Sequence, residues 1–543
     1  MYWADELAAG ASGPQVVNDS KTPSGTVHVG SLRGVVMHDA IRRAVADRGE
    51  EVVFRYGVED LDPMDAQALL TPDAVEQAMG RPLCRVPAPE GSPHENYARH
   101  FAGLFLETFD GLGIRPELYW MSEQYGSGAM DPYIARALDQ APLILAIYAT
   151  VSTVRHPADW LPIHVICENC GRIGTTYATG WDGREVTYEC RPELVEWAVG
   201  CGHRGRVSPF GGNGKLVWNV DWAARWSLVG ATIEGCGKDL ATKGGSRDRA
   251  DAISRQVFER EPPVNVPYEF LNIGGRKMST SKGYGAAAHE MAELLPPELL
   301  RFLFLRQKPR RHLEFDPGGD TIPGLFDEFD RIAAAVAGRP VRGELPPDPE
   351  RIFRMSLVEP DADAATEASR YRPAFRHLAL LVQVPGVDLQ ERLAAEKGAP
   401  LDAEEAAIAD QRTRVARAWL ESFAPDRYRV EVRRDDLPAE AAGLSEAQRA
   451  FLGALARAAR DESPGSGDAW QDLIFRTAQS LGLPSGEAFG ALYLAFLGRP
   501  NGPRAGWLVA SLPGDFALAR LEAAAAPPAA AAVAGEAEGT IGS

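Results

Sequence analysis

Long apolar runs are absent. No stretch of about 18 consecutive apolar residues, the length that crosses a bilayer, occurs in the sequence, so no membrane span is expected. The opening residues, Met1-Tyr2-Trp3-Ala4-Asp5-Glu6-Leu7, carry early acids and no apolar segment. A secretory leader is therefore not expected, and a cytoplasmic location is. Cysteine is sparse, six in 543 residues, which excludes the disulfide framework of small secreted domains. Positive charge is in deficit: 57 Lys and Arg against 75 Asp and Glu leave a net charge of −18. That disfavours non-specific binding to nucleic acid, although a local basic patch fits inside an acidic whole. What remains is an ordinary globular composition, 45% hydrophobic, in a chain long enough for about two to four domains.

The chemistry is placed first at Lys21-Thr22-Pro23-Ser24-Gly25-Thr26-Val27-His28-Val29-Gly30-Ser31. Pro14 to Val17 reads as the end of a short strand. Val35, Val36, Ala40 and Ile41 recur at helical spacing, with Arg42 and Arg43 outside that stripe. Strand, tight loop and helix follow one another, with His28 and Gly30 at the loop–helix junction. A helix start offers unpaired N–H groups and partial positive charge, which suit a phosphate chain. Gly30 admits a ligand close to the backbone and His28 adds a donor.

Residues 1–80 form the first half of an α/β domain. The second strand, Glu51 to Val58, ends in Glu59-Asp60-Leu61-Asp62-Pro63. Acids at the carboxyl edge of a βαβ sheet could hold an ammonium group, although position alone favours an N-cap cluster for the next helix. Residues 81–210, with proline-rich turns and helices near 96–112 and 131–151, read as an insertion. Near its end stand Cys167-Glu168-Asn169-Cys170-Gly171, then Cys190, then Cys201-Gly202-His203. A Cys-x2-Cys knuckle with two further thiols fits a closed, structural tetrahedral zinc site, with His203 an alternative to Cys190.

The α/β pattern returns over 211–325. Trp218, Trp222 and Trp226 recur every four residues, a stripe that reads as core. A strand at 231–235 runs into the glycine-rich loop Gly237-Lys238-Asp239-Leu240 to Ser246, and a helix follows at 247–258. Another strand at 266–273 leads to Gly274-Gly275-Arg276-Lys277-Met278-Ser279-Thr280-Ser281-Lys282-Gly283. Such a cationic loop can close over a triphosphate and stabilise charge developing at its α-phosphate. Arg301, Arg306, Lys308, Arg310, Arg311 and His312 make the clearest candidate for contact with a nucleic-acid backbone. Residues 326–521 read as a helical domain, and 522–543, rich in Ala and Pro, as a disordered tail.

His28-Val29-Gly30-Ser31 resembles the HIGH signature of class I aminoacyl-tRNA synthetases, and Lys277-Met278-Ser279-Thr280-Ser281 resembles their KMSKS signature. Their order and the intervening insertion also match. The lysyl type within this class is the most similar, through Thr22-Pro23-Ser24-Gly25, Glu59 to Pro63, Cys167 to Gly171 and Val220 to Trp226. Gly237-Lys238-Asp239, Pro267-Tyr268-Glu269 and Arg306 to Pro317 add to it. The similarity is close over about 1–330, and the remainder resembles a helix-cage anticodon domain in type.

The resemblance implies a Rossmann-like parallel-sheet catalytic domain with a zinc-bearing insertion, then an α-helical domain. It implies lysine activation by ATP with Mg2+, and transfer to tRNA(Lys). His28, Gly30, Lys277 and Lys282 would be catalytic. Ser24, Gly25, Ser31, Gly237, Asp239, Met278, Ser279 and Ser281 would join them around ATP. Glu59, Asp60, Trp222, Tyr268 and Glu269 would hold L-lysine, and Cys167, Cys170, Cys190 and Cys201 would hold Zn2+. The chain departs from the family pattern at Ser31, Thr280 and Leu240 and in the long gap from Cys190 to Cys201. The alternative is a non-catalytic or altered-specificity paralogue that binds tRNA, for which Leu240 speaks.

Overall fold

Five parallel strands form the central sheet of the first half of the chain. Spatially they run Val264–Tyr268, Ile233–Gly237, Gln15–Lys21, Val52–Val58, Glu117–Trp120. The computed structural model describes residues 1–65, 72–274, 276–277, 287–384, 387–432 and 436–527. Val16, Val17, Val52, Val53 and Phe54 supply the β-branched and aromatic residues that suit a pleated surface. Helices Leu32–Ala46, Tyr97–Gly111 and Ser246–Gln256 make the crossovers that parallel pairing demands. From its first strand the chain steps outward to Val52–Val58 and Glu117–Trp120. It then returns to the opposite side of that strand with Ile233–Gly237. The crevice at such a reversal, beyond the carboxyl ends of the strands, is where ligands of this architecture bind.

Glu117–Trp120 falls within the span read from sequence as insertion, so the insertion starts after it. This edge strand has four residues and only its last two are buried, too little to show a period. The helix Leu32–Ala46 also departs from its sequence reading. Arg43 is buried, paired with Asp39 at 2.8 Å and bonded to the carbonyl of Leu357 at 2.7 Å. Arg301, fully buried, also pairs with Asp39 at 2.8 Å and holds the carbonyl of Met355. Removing one partner from such a cluster leaves an uncompensated buried charge.

The tryptophan stripe closes the core. Glu234 is buried in its strand, and its carboxylate accepts from the indoles of Trp222 (2.5 Å) and Trp226 (3.0 Å) and from the Asn18 amide (2.6 Å). Asn18 in turn accepts the hydroxyl of Tyr119 at 3.0 Å. A buried carboxylate is tolerated when donors surround it in this way.

In the insertion, helices Asp131–Asp139 and Ala141–Val151 meet at 73°. Among the described residues no single helix is long and apolar enough to cross a membrane. A two-stranded ribbon pairs Ile163–Val165 with Gly214–Leu216, and a three-stranded sheet holds Thr176–Trp181, Val186–Cys190 and Arg204–Val207.

The chain forms two units, 1–316 with 328–369, and 317–327 with 370–543. Residues 328–369, helical in composition, thus belong with the sheet, through Pro349–Ser356 against Pro297–Leu305. The second unit is helical and begins its long helices where the sequence announces caps. Asp402 with Glu405 and Ser445 with Gln448 form capping boxes for Ala403–Ser422 and Glu446–Glu462. Its core gathers Phe451, Leu455, Ile474, Leu492 and Leu508. The last helix, Gly514–Ala525, runs past the start read for the tail, and 528–543 lie outside the described residues.

Candidate active site and metal centre

Beyond Lys21 the chain turns through Thr22–Val27 and enters a single 3-10 turn, Val29–Ser31, that continues into the helix Leu32–Ala46. His28 stands at the N-cap of that turn with extended backbone, and its side chain caps nothing. Its ring lies against Gly30, where a Cβ would sit 2.9 Å from the ring Nδ1. That nitrogen is buried without a partner among the described residues. Burial, with the charge of Lys21 behind it, pushes the imidazole down to about 4. At neutral pH the ring is therefore an uncharged hydrogen-bonding group beside a helix start.

A cavity of about 240 Å³ opens at the reversal point. Asp19, Lys21 and Thr22 wall it from the first strand, Ser31 from the loop, and Tyr56 and Glu59 from the second strand. Trp218, Leu240 and Tyr268 complete it. Burial and the nearby Asp19 carboxylate hold the Tyr268 phenol protonated, far above its ordinary range.

The acids around this cavity differ in what they already hold. Glu59, buried, is paired with Arg225 and lies 3.4 Å from the Lys215 ammonium. Lys215 also pairs with Asp62, whose other oxygen accepts the Thr22 hydroxyl at 2.6 Å. Burial opposes the charge of Lys215, and Asp62 and Asp221 more than offset that, so its ammonium is held above its ordinary range. Asp60 turns to Ser122, accepting its N–H at 2.8 Å and its hydroxyl at 2.5 Å, and so ties down the start of the helix Met121–Gly126. Glu269 sits with Lys238 at 2.6 Å and His312 at 3.2 Å; Lys238 first, then His312, draw its carboxyl below the usual range.

Asp19 is different. Its Oδ1 accepts the Ser20 N–H at 2.8 Å, and its Oδ2 lies 3.4 Å from His38 Nδ1. His38 Nε2 accepts the Gly235 N–H at 2.8 Å, so Nδ1 carries the ring's proton, 2.7 Å from the Gly34 carbonyl. The ring is thus a neutral brace for Asp19, and no Lys or Arg forms an ion pair with that carboxylate among the described residues.

Of the residues the sequence singled out, Ser31, Glu59 and Tyr268 line the cavity. Trp222 does not, since its indole is turned to Glu234; Trp218, stacked on it at 5.2 Å, takes the wall position. Asp60 and Glu269 are likewise committed elsewhere. The Ser24 carbonyl accepts the Tyr97 hydroxyl at 3.0 Å, and Gly25 follows it half-buried. Gly237 and Asp239 belong to a turn closed by the Leu240 N–H on the Gly237 carbonyl at 3.0 Å. Lys277 ends the strand Arg276–Lys277, while its side chain and Met278, Ser279, Thr280, Ser281 and Lys282 lie outside the described residues. Lys21 and Thr22 belong to the stretch in which the sequence places the chemistry, without a role of their own, whereas Asp19, Tyr56 and Trp218 were missed. The available signal was a run of polar residues, Asn18 to Thr22, after two valines, which marks the carboxyl end of a strand.

The four cysteines converge. The sulfurs of Cys167, Cys170, Cys190 and Cys201 all lie within 4.8 Å of one another. Cys167–Cys201 and Cys170–Cys190 are each at 3.7 Å. Four thiolates at a zinc–sulfur distance of about 2.3 Å would stand roughly 3.8 Å apart, so the set fits a tetrahedral zinc. His203 is not part of the group; its carbonyl accepts the Cys190 N–H at 2.8 Å. The gap between Cys190 and Cys201 is a loop that closes on itself. A Cβ on Gly200 would lie 2.2 Å from the Arg191 carbonyl oxygen, and Ala198 enters a small core with Met64, Leu83 and Phe101. Metal analysis of the purified chain is expected to find about one zinc per chain, and Cys170→Ser to lose it. Zinc retained by that variant at full stoichiometry would remove Cys170 from the site.

Comparison with known proteins follows the same lines. The family described as tRNA synthetases class I (K) matches residues 2–356. A protein named lysine–tRNA ligase from Archaeoglobus fulgidus is 36% identical over 531 residues, covering 96% of this chain and 100% of the relative. One of the same name from Methanosarcina barkeri (strain Fusaro) is 34% identical over 544 residues, covering 96% and 98%. Another, from Methanocaldococcus jannaschii, is 31% identical over 541 residues, covering 96% and 99%.

Proposed function

The chain belongs to the class I (K) tRNA synthetases, and we infer from that premise that it is a lysine–tRNA ligase. Full-length similarity to relatives of that name carries the reading. The cavity at the sheet reversal, with an acid, Asp19, that forms no ion pair with a Lys or Arg among the described residues, is in keeping with it.

In the first step a lysine carboxylate oxygen attacks the α-phosphorus of ATP. The new O–P bond forms as the bond to the bridging oxygen breaks, and pyrophosphate leaves with the electron pair. In the second step a hydroxyl of the terminal ribose of tRNA(Lys) attacks the acyl carbon and AMP departs. Neither step needs a protein nucleophile, so positioning and charge stabilisation are the protein's tasks. His28, uncharged, donates a hydrogen bond to the ATP phosphates, and Gly30 and Ser31 let them approach the helix start. Ser24, Gly25, Gly237 and Asp239 surround the nucleotide, while Met278, Ser279 and Ser281 extend the second loop over it. Lys277 and Lys282 offset the charge on departing pyrophosphate. Mg2+ accompanying ATP supplies further neutralisation of the triphosphate. Tyr268 and Glu59 shape the lysine end. Zinc on the four cysteines is structural, the helical second unit reads the anticodon, and the enzyme works in the cytoplasm.

Lysine-dependent exchange of pyrophosphate into ATP, run with tRNA(Lys) present and zinc-replete protein, tests this. Exchange is expected with lysine and not with glutamate. Its absence with lysine would leave the paralogue reading in its place.

A further inference from the structure

One basic stretch has no part in the chemistry above. Arg306 is taken by Glu328 at 3.2 Å. The next residues form a turn, Lys308-Pro309-Arg310-Arg311, closed by the Arg311 N–H on the Lys308 carbonyl at 2.9 Å. Its carbonyls face inward onto Arg33, which is fully buried. The guanidinium donates through Nη2 to the carbonyls of Pro309 (2.9 Å) and Arg311 (2.8 Å). Through Nη1 it donates to those of Glu269 (2.5 Å) and Phe270 (3.3 Å). The Glu269 N–H also donates to the Pro309 carbonyl at 3.0 Å. The turn is thereby pinned to the residues that directly follow Tyr268, a wall of the cavity.

With the backbone held inward, the side chains of Lys308, Arg310 and Arg311 are exposed, and among the described residues none of them forms an ion pair. Nearby acids are engaged: Glu269 by Lys238 and His312, and Glu314 by Asn272 at 2.8 Å. Three uncommitted cations on four residues reverse the sign of a chain whose net charge is −18. Rigid, exposed and cationic is what a phosphate backbone selects, because each neutralised phosphate releases counterions.

We propose that this turn, anchored by Arg33, docks the phosphate backbone of the acceptor arm of tRNA beside the mouth of the cavity. The inference rests on the synthetase reading. The second step needs the terminal ribose at the cavity, so the acceptor arm must pass over its rim, and the turn abuts the residue after Tyr268.

The test is the triple variant Lys308→Ala, Arg310→Ala, Arg311→Ala, whose sites are exposed and whose thermal midpoint should match the parent. Binding of tRNA(Lys), and of a minihelix carrying only its acceptor arm, is measured across a salt series. At about 0.1 M salt the variant should bind both RNAs roughly 10- to 100-fold more weakly, and its slope of log affinity against log salt should be shallower by about 2 to 3. KM for lysine and ATP, at saturating tRNA, should stay within about twofold, as befits a group that contacts backbone phosphates. Parental affinity and slope in the variant would overturn the proposal. So would a loss seen with tRNA and not with the minihelix. If the parent chain itself binds no tRNA(Lys), it is the synthetase reading that fails.

Discussion

His28→Ala should slow adenylate formation by about 10²- to 10³-fold, the range for loss of one preorganised donor aimed at developing charge. Lysine affinity should change little. The reason is the state of the ring. His28 Nδ1 is buried and has no partner among the described residues, and its pKa of about 4 keeps it uncharged at working pH. The loss is therefore of a hydrogen bond and its geometry, and above about pH 5 the variant's pH–rate profile should parallel the parent's. Gly30→Ala offers the same test without deleting the ring. Its Cβ would lie 2.9 Å from His28 Nδ1 and force the imidazole aside, so its rate should fall in the same direction with the ring still present. Acid stability gives a further check. The ordinary value is 6.5 and the folded one about 4, so between those values the unfolded chain binds the proton more readily. Stability should then fall as pH drops through that window, and less so in His28→Ala. Single-turnover adenylate formation set beside calorimetric lysine binding decides the matter. Equal losses in both would make His28 a packing residue.

Asp19→Asn should raise KM for lysine by about 10²-fold, with KM for ATP nearly unchanged. Truncating one side of a buried charged pair costs roughly 2–5 kcal/mol, and 1.4 kcal/mol is tenfold. The sequence pointed to Glu59, Asp60 and Glu269 as partners for the substrate's ammonium groups. Glu59 already answers Arg225 and Lys215, Asp60 answers Ser122, and Glu269 answers Lys238 and His312. Asp19 faces the cavity and, among the described residues, forms no ion pair with a Lys or Arg, although the charges of Lys21 and Arg225 act on it. Glu59→Gln should behave differently. It leaves Arg225, which is fully buried, with only the more distant Asp221 at 3.9 Å as an ion-pair partner among the described residues, so a loss of stability of about 3 kcal/mol is expected before any selective effect on lysine. Steady-state constants for both substrates, read with unfolding midpoints, separate the two. A normal lysine KM in a folded Asp19→Asn variant would return the ammonium to another group.

Much of this was legible in the chain itself. Loop chemistry is local, so His28, Gly30 and the Lys277 segment declare themselves by residue type. The cysteines did so by spacing, although only the folded loop shows why the gap after Cys190 is harmless: Gly200 returns to Arg191. The stripe of Trp218, Trp222 and Trp226 was legible as one face of a helix. Its periodicity does not reveal that the partner of Trp222 is Glu234 and that Trp218 is the wall residue. Asp19 escaped because the first strand was read as ending at Val17, four residues before its end at Lys21. Arg301 read as part of a basic cluster for nucleic-acid contact because its counter-ion, Asp39, lies on a different element, while Arg43 read as outside the apolar stripe because a helical period does not show that Asp39, one turn before it, is buried too. The partnership of Lys215 with Glu59 and Asp62 crosses about 150 residues of chain, and nothing local in sequence announces a pairing at that separation.

That last pairing bears on how separable the parts of this enzyme are. Lys215 sits on the ribbon strand Gly214–Leu216, whose partner Ile163–Val165 leads straight into the first zinc knuckle. The ammonium that balances the pocket's acids is thus delivered by a ribbon whose other strand lies in the insertion, and not by the five-stranded sheet. Excising the insertion would take Ile163–Val165 from beside Gly214–Leu216, and so remove the strand that holds Lys215 against Asp62, the carboxylate that also accepts the Thr22 hydroxyl. The insertion and the pocket are therefore one structural unit, and a change in either is carried to the other through one lysine.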